Sequence, residues 1–300
     1  IRTVTTDIGF TGLGYGTGSL LTGGYQSVAI GTNSLVSATT GIQNTGVGYL
    51  NLEHVTTAGQ NVAMGTSTGN GLTTGGLNTY IGYGSGQFNQ TGVTNTFVGY
   101  VAGRGASSNS NSNNTGIGAL VGAALTTGSS NVLVGYAAGN TLTTGAANII
   151  IGNNIQAAAV STSNFMSIGN LIFSAGIDGT GTTVSSGNIG IGVAAPVAKL
   201  HVSAASSAIS SATWTTTGKI FATDALTITN TTSTGTVALQ VENSFGVPTL
   251  VASSATTLTM SANVYIAGAP IASTNVTQTT PVSLLIDTGA TTGRGLVIRG

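Results

Sequence analysis

The sequence predicts an all-β fold whose first half is a parallel β-roll, or β-solenoid, of 17-residue coils. Three observations carry that expectation. Ten glycines, each preceded by an aliphatic residue, recur at Gly14, Gly31, Gly48, Gly65, Gly82, Gly99, Gly118, Gly135, Gly152 and Gly169, with the same spacing of seventeen in every interval but one. Asparagine stands four positions before this anchor in seven consecutive repeats: Asn44, Asn61, Asn78, Asn95, Asn114, Asn131 and Asn148. Charged residues are 4 % of the chain, against ~25 % in an ordinary soluble domain, so amphipathic helices have little to be built from. A repeat period of this order, roughly 20 residues, means stacked turns, each too small to stand alone.

Phase within the period assigns roles. The residue before the anchor, from Leu13 and Ile30 through Ile151 and Ile168, is aliphatic in every repeat and is expected to line the interior. The asparagine column is expected to stack its amides from coil to coil, which offsets the poor strand propensity of that residue. Seven positions past the anchor, Leu21, Val55, Leu72, Leu125 and Leu142 form a second apolar column, followed by Thr-Thr-Gly at Thr73, Thr126 and Thr143. Two short apolar segments and two turns predict a flattened, two-stranded rung. The anchor glycine fits a positive φ or a very close backbone approach. Tyrosine follows it at Tyr15, Tyr49, Tyr83, Tyr100 and Tyr136. The one longer step, from Gly99 to Gly118, contains SSNSNSNN and is expected to be a surface loop. At ~4.8 Å per coil the nine steps make a rod of roughly 43 Å. Because a thin coil buries little by itself, a homotrimer is the expected way to complete it.

The strings SVAIGTNS and NTGVGY resemble the head repeats of trimeric autotransporter adhesins and related phage tail-fibre proteins. The resemblance covers residues 10–170 and implies a trimer of left-handed parallel β-rolls, although the coil here is longer. No heptad stalk or anchor barrel accompanies it.

The period gives a repeat region at 1–170, a linker of turns at 171–187, a neck at 188–217 and a β-rich shaft or tip at 218–300. In the neck, NIGIGVAAPVAKLHV (residues 188–202) resembles an element of tail-fibre and large bacterial surface proteins, matching at Asn188, Ile189, Gly190, Ile191, Gly192, Pro196, Lys199, Leu200, His201 and Val202. That element often precedes a self-cleaving trimerising chaperone domain. Residues 203–211 read as a short helix or a linker. From Lys219 onward, strings such as TVALQVEN and PVSLLIDTG alternate as strands do.

Composition excludes several functions. The net charge is zero, and the bases Arg2, Arg104, Lys199, Lys219, Arg294 and Arg299 are scattered singly, so no basic stripe faces nucleic acid or anionic lipid. Without cysteine there is neither a disulfide framework nor a thiolate metal site. No apolar run approaches the ~20 residues of a membrane span. The chain opens at Ile1 without a leader, as expected of a processed product or a piece of something longer.

Candidate chemistry is thin. LLIDTGATTG around Asp287 has the form of an aspartic-protease loop, but it stands once, near the end of the sequence. The acids Asp7, Glu53, Asp178, Asp224, Glu242 and Asp287 are isolated, whereas glycoside cleavage needs two carboxylates across one bond. Glu53 beside His54 reads as a solvated turn. His201 reads as a strand residue, and two histidines make no metal motif. GLGYGTG and GYGSG lack the helix and lysine of a phosphate loop. The threonine column could face ice but is interrupted at Asn89 and Ala106. No catalytic, cofactor-binding or metal-binding residue is therefore predicted, and no cofactor. The expected function is a structural, protease-resistant extracellular, cell-surface or virion fibre, adhesive towards host-surface glycans. The alternatives are a self-assembling extracellular filament and a tailspike-type polysaccharide depolymerase.

Overall fold

The computed structural model describes residues 9–22, 26–106 and 109–202. They form one 13-stranded sheet in which spatial order follows chain order. Nine three-residue strands come first: β1 (Thr11–Leu13), β2 (Val28–Ile30), β3 (Thr45–Val47), β4 (Val62–Met64), β5 (Thr79–Ile81), β6 (Thr96–Val98), β7 (Thr115–Ile117), β8 (Val132–Val134) and β9 (Ile149–Ile151). Each pairs in parallel with the next, with equivalent residues opposite one another, as Thr79, Tyr80 and Ile81 lie against Thr96, Phe97 and Val98. The chain is a parallel β-solenoid of 17-residue coils, and the described residues include no helix.

The interior is lined differently from the sequence-based expectation. In each strand the middle residue points inward, so Ala29, Ala63, Tyr80, Phe97, Leu133 and Ile150 are fully buried. The aliphatic residue before the anchor points out: Leu13 is 54 % exposed, Met64 44 % and Ile117 48 %. A strand alternates faces with period two, so a one-residue error in phase exchanges inside and outside. Nor does the coil need a partner to acquire a core. Leu52, Val55, Leu72, Leu125 and Leu142 join the strand centres in a continuous buried cluster.

The inward strand position escapes notice because its volume varies and is balanced elsewhere, within the coil in some repeats and from the neighbouring coils in others: Ala63 is paired with Gly69 and Gly116 with Gly122, and Leu52, Tyr80 and Phe97 of adjacent coils fill the space. Where it is small, at Ala29 and Gly46, the residue six further on is a buried leucine, Leu35 or Leu52. Where it is large, at Tyr80, Phe97 and Leu133, that residue is Gly86, Gly103 or Gly139. A Cβ on Gly86 would lie 2.6 Å from the Tyr80 ring. Tyr80 stacks on Phe97 with ring centroids 6.2 Å apart, which gives the middle coils an aromatic core. Close packing leaves no slack for an added methyl. Gly86→Ala is expected to lower stability by ~2–4 kcal/mol in thermal unfolding, combining overpacking with a left-handed φ of 59°. Gly84→Ala, at φ 61° with its nearest neighbour 3.5 Å away, isolates the conformational part and should cost only about 1 kcal/mol.

The second side of the coil is not a regular strand. Leu50 and Leu52 adopt φ of 53° and 48°, a left-handed conformation that breaks a pleated ladder. Single main-chain bonds connect the coils there instead: Leu52 N to Thr68 O, His54 N to Asn70 O and Thr56 N to Thr73 O. Threonine hydroxyls reinforce this side, Thr39 donating to Thr56 O, Thr56 to Thr73 O and Thr73 to Gln90 O.

The predicted amide ladder is present, and it is buried. Asn78 Nδ2 donates to Asn61 Oδ1 at 3.1 Å and to Gly92 O at 3.0 Å, while its Oδ1 accepts from Asn95 N and Asn95 Nδ2 at 2.9 and 3.0 Å. The pattern repeats through Asn148, whose Oδ1 accepts from Phe165 N where phenylalanine replaces the asparagine. The longer step between Gly99 and Gly118 is only partly a surface loop: Ser110 is exposed, but Asn109 and Asn111 are buried. Asn89 Nδ2 donates to the buried phenol at Tyr80 Oη and to Asn111 O, and Asn109 Nδ2 donates to Leu125 O, so the insertion is drawn inward by bonds to its neighbouring coils.

Past the solenoid come β10 (Phe165–Ile168), β11 (Ile172–Ala175), β12 (Asn188–Ile191) and β13 (Leu200–Val202). β10 continues the parallel stack on β9, β11 runs antiparallel to both β10 and β12, and β13 is parallel to β12. The stretch expected to be only turns thus opens with a strand, because Phe173–Ser174 can complete the edge that β10 leaves. The rest of the neck, 203–217, and the β-rich region 218–300 lie outside the described residues.

Candidate association surface

The sheet β1–β9 presents two outward columns. One is Thr11, Val28, Thr45, Val62, Thr79, Thr96, Thr115, Val132 and Ile149; the other is the aliphatic residue before each anchor. The strand puts both on one face because its first and third residues point the same way. Past the anchor glycine, and so outside the strands, stand the tyrosines, with Tyr49, Tyr83, Tyr100 and Tyr136 each half or more exposed. Tyr83 and Tyr100 stack with centroids 5.4 Å apart, so adjacent members of the column stand in one line.

No charge falls on this face. Within the described coils the charged residues and histidine are Glu53, His54 and Arg104, all five or six positions past their anchors. The longer coil is also extended beyond that same corner. Charge and insertion both fall on one side of the rod, whereas the β1–β9 face is uncharged along its length, with one column wholly aliphatic and the other divided between threonine and aliphatic residues. An aliphatic column this continuous on an outer surface is characteristic of an association site.

The candidate chemical residues have structural roles where they are described. Asn70 Nδ2 donates to Glu53 Oε2 at 2.7 Å and to Leu50 O at 3.1 Å, and His54 Nδ1 donates to Asn70 O at 2.8 Å. Glu53 and His54 therefore clamp one coil to the next. Asp178 accepts from Ser186 Oγ and Ser186 N at 2.6 and 2.7 Å; the hydroxyl first, then the amide and nearby Lys199, hold its carboxyl below the usual range. Lys199 Nζ in turn donates to Ser186 O, and Asn188 Nδ2 donates to Pro196 O at 3.1 Å. His201 lies in β13, and its Nδ1 accepts from Val197 N at 3.4 Å. The NIGIG…KLHV element is thus a β-arch stapled by its own Asn, Lys and His. It borders a groove of about 470 Å³ lined by Ala175, Gly187, Asn188, Pro196 and Val197.

The Gly-rich strings are coil corners, with Gly14, Gly16 and Gly18 all at positive φ. The hydroxyls of the recurrent Thr-Thr-Gly threonines Thr73, Thr126 and Thr143, the basis of an ice-binding reading, are used in bonds to carbonyls of the next coil, as are those of Thr39 and Thr56. Asp7, Asp224, Glu242 and Asp287 lie outside the described residues, and among the described ones no three His, Asp or Glu cluster as metal ligands do. No protein-family model, curated protein or solved structure matches this chain. Sequence pattern alone does not reveal this outward face, because a constant aliphatic column reads as interior; the absence of charge on it is the signal the sequence does carry.

Proposed function

We propose that the chain is a rigid, non-enzymatic segment of an extracellular, cell-surface or virion fibre, of the kind its resemblance to adhesin heads and phage tail fibres implies. The observation that carries this reading is the unbroken main-chain bonding of every described coil to its neighbours, reinforced by the amide ladder from Asn44 to Asn148 and by threonine hydroxyls on either side of the longer coil. Such a stack has no long lateral edge to pair with another sheet, and it opens slowly because no coil can leave without breaking bonds to two others. Rigidity and resistance to proteolysis are the properties it supplies.

The β1–β9 face supports a homotrimer in which the outward columns of three parallel copies meet on the axis. At roughly 60 Å² per side chain, the two columns offer on the order of 1,000 Å² per chain, or about 500 Å² towards each of two neighbours, so the ~800 Å² per partner of a standard interface needs contribution from beyond these columns. The charged corner then faces solvent. Light scattering on the intact chain should give three times the mass of one chain, independent of concentration. Concentration-dependent growth would favour an end-to-end filament, and a fall in polysaccharide viscosity would favour the depolymerase. Ile81→Glu with Val98→Glu places carboxylates mid-face and outside the core, and is expected to yield folded monomers. A variant that remains trimeric would remove this face from the interface.

A further inference from the structure

We infer that the tyrosine column is a row of stacking subsites for a neutral, extended, β-linked polysaccharide. The inference deepens the adhesive side of the fibre reading by naming the residues and the ligand class. Tyr15, Tyr49 and Tyr83 occur in every second coil; Tyr100 follows in the very next coil, stacked on Tyr83, and Tyr136 stands two coils beyond it, so the row is two two-coil runs joined at that pair. Two coils are ~9.6 Å apart along the rod. An extended β-1,4-linked chain of hexoses repeats its disaccharide at nearly this distance, presenting an equivalent apolar ring face each time. Thr32, Thr66 and Ala119 occupy the intervening coils, small residues between large ones.

The chemistry matches as well as the spacing. Tyr15, Tyr49, Tyr83, Tyr100 and Tyr136 are 50 % to 82 % exposed, and each ends in a polar hydroxyl; Tyr83 and Tyr100 cover one ring face of each other and offer a single paired platform. That combination suits a sugar, whose C–H faces stack on aromatic rings while its hydroxyls need hydrogen bonds. Neither the column nor the adjoining face carries a charge, which favours a neutral polymer over an anionic one and predicts binding insensitive to salt. Each contact is weak, and a rod bearing several in register gains through avidity.

Co-sedimentation of the full chain with microcrystalline cellulose and with chitin tests this directly, using heparin–agarose as the anionic comparison and light scattering on every sample. The expected result is retention on a neutral glycan in molar salt, competed by the matching soluble hexasaccharide. Tyr49→Ala with Tyr83→Ala should weaken partitioning at least about tenfold, while the double Phe variant stays within about threefold. Intact rods that ignore both glycans, an Ala variant that binds as well as the parent, or retention on heparin alone would each overturn the inference and leave the fibre standing. Chains that sediment with glycan yet form no rod would overturn the fibre instead.

Discussion

Gly48→Ala is expected to remove most of the stability of the solenoid around it. Gly48 has φ 139°, in a region of backbone space that side-chain-bearing residues almost never occupy, and an added Cβ would collide with the carbonyl oxygen of Gly65 in the next coil. That carbonyl cannot retreat, because the main chain around it is tied on both sides: Gly65 N donates to Val47 O at 2.8 Å and Gly82 N to Met64 O at 2.8 Å. Conformational strain and a backbone clash together should cost about 3–5 kcal/mol, a large share of the ~5–15 kcal/mol typical of a native domain. Gly169→Ala is the matched control. It closes the same series, but its φ is 60° and a Cβ there would meet nothing within 4 Å. Chemical denaturation followed by far-ultraviolet circular dichroism should show a large loss for Gly48→Ala and a loss of about 1 kcal/mol or less for Gly169→Ala. Equal losses would mean that the glycine column is not where coils touch.

Asn78→Ala should be nearly as damaging, by a different route. Asn78 is 1 % exposed, and its side chain takes part in four hydrogen bonds that cross between coils. Truncation leaves Gly92 O without its amide donor and the buried Asn95 N without its acceptor. Each buried orphan costs ~1–3 kcal/mol, so a total of about 3–4 kcal/mol is expected. Amide hydrogen exchange localises the effect: Asn95 N should lose protection, and Val62 N, which donates to Asn78 O through the main chain at 2.8 Å, should retain it. Unchanged protection at Asn95 would show that the amide column stacks without bearing on stability.

Both columns were legible in the sequence because each answers to a backbone requirement that recurs in every coil. A glycine is demanded wherever the chain passes within touching distance of its own next turn. An asparagine is demanded wherever one side chain must both donate up and accept down the stack. The interior was not legible in the same way. Its requirement is total volume, which Ala29 with Leu35, and Tyr80 with Gly86, satisfy by opposite choices, so no single column looks like a core. The one column that did look like a core, Leu13 to Ile151, is constant because it faces outward onto a common surface. Asn109 and Asn111 were unreadable for a related reason: polar residues in an insertion suggest solvent, and only the fold brings Asn89 to Asn111 O and Leu125 O to the Asn109 amide. The strand β11 went unrecognised because it follows the loss of period and depends on the free edge of β10 for its partner.

A density map of the assembled particle that separates individual coils tests the central claim most directly. The stacked-coil account predicts parallel rungs ~4.8 Å apart over residues 9–169, an anchor glycine on each rung, asparagine amides in a buried line and the aliphatic column on the outer surface of each chain. A compact globule, an antiparallel sandwich, or rungs with Leu13 and its equivalents turned into the coil would contradict it.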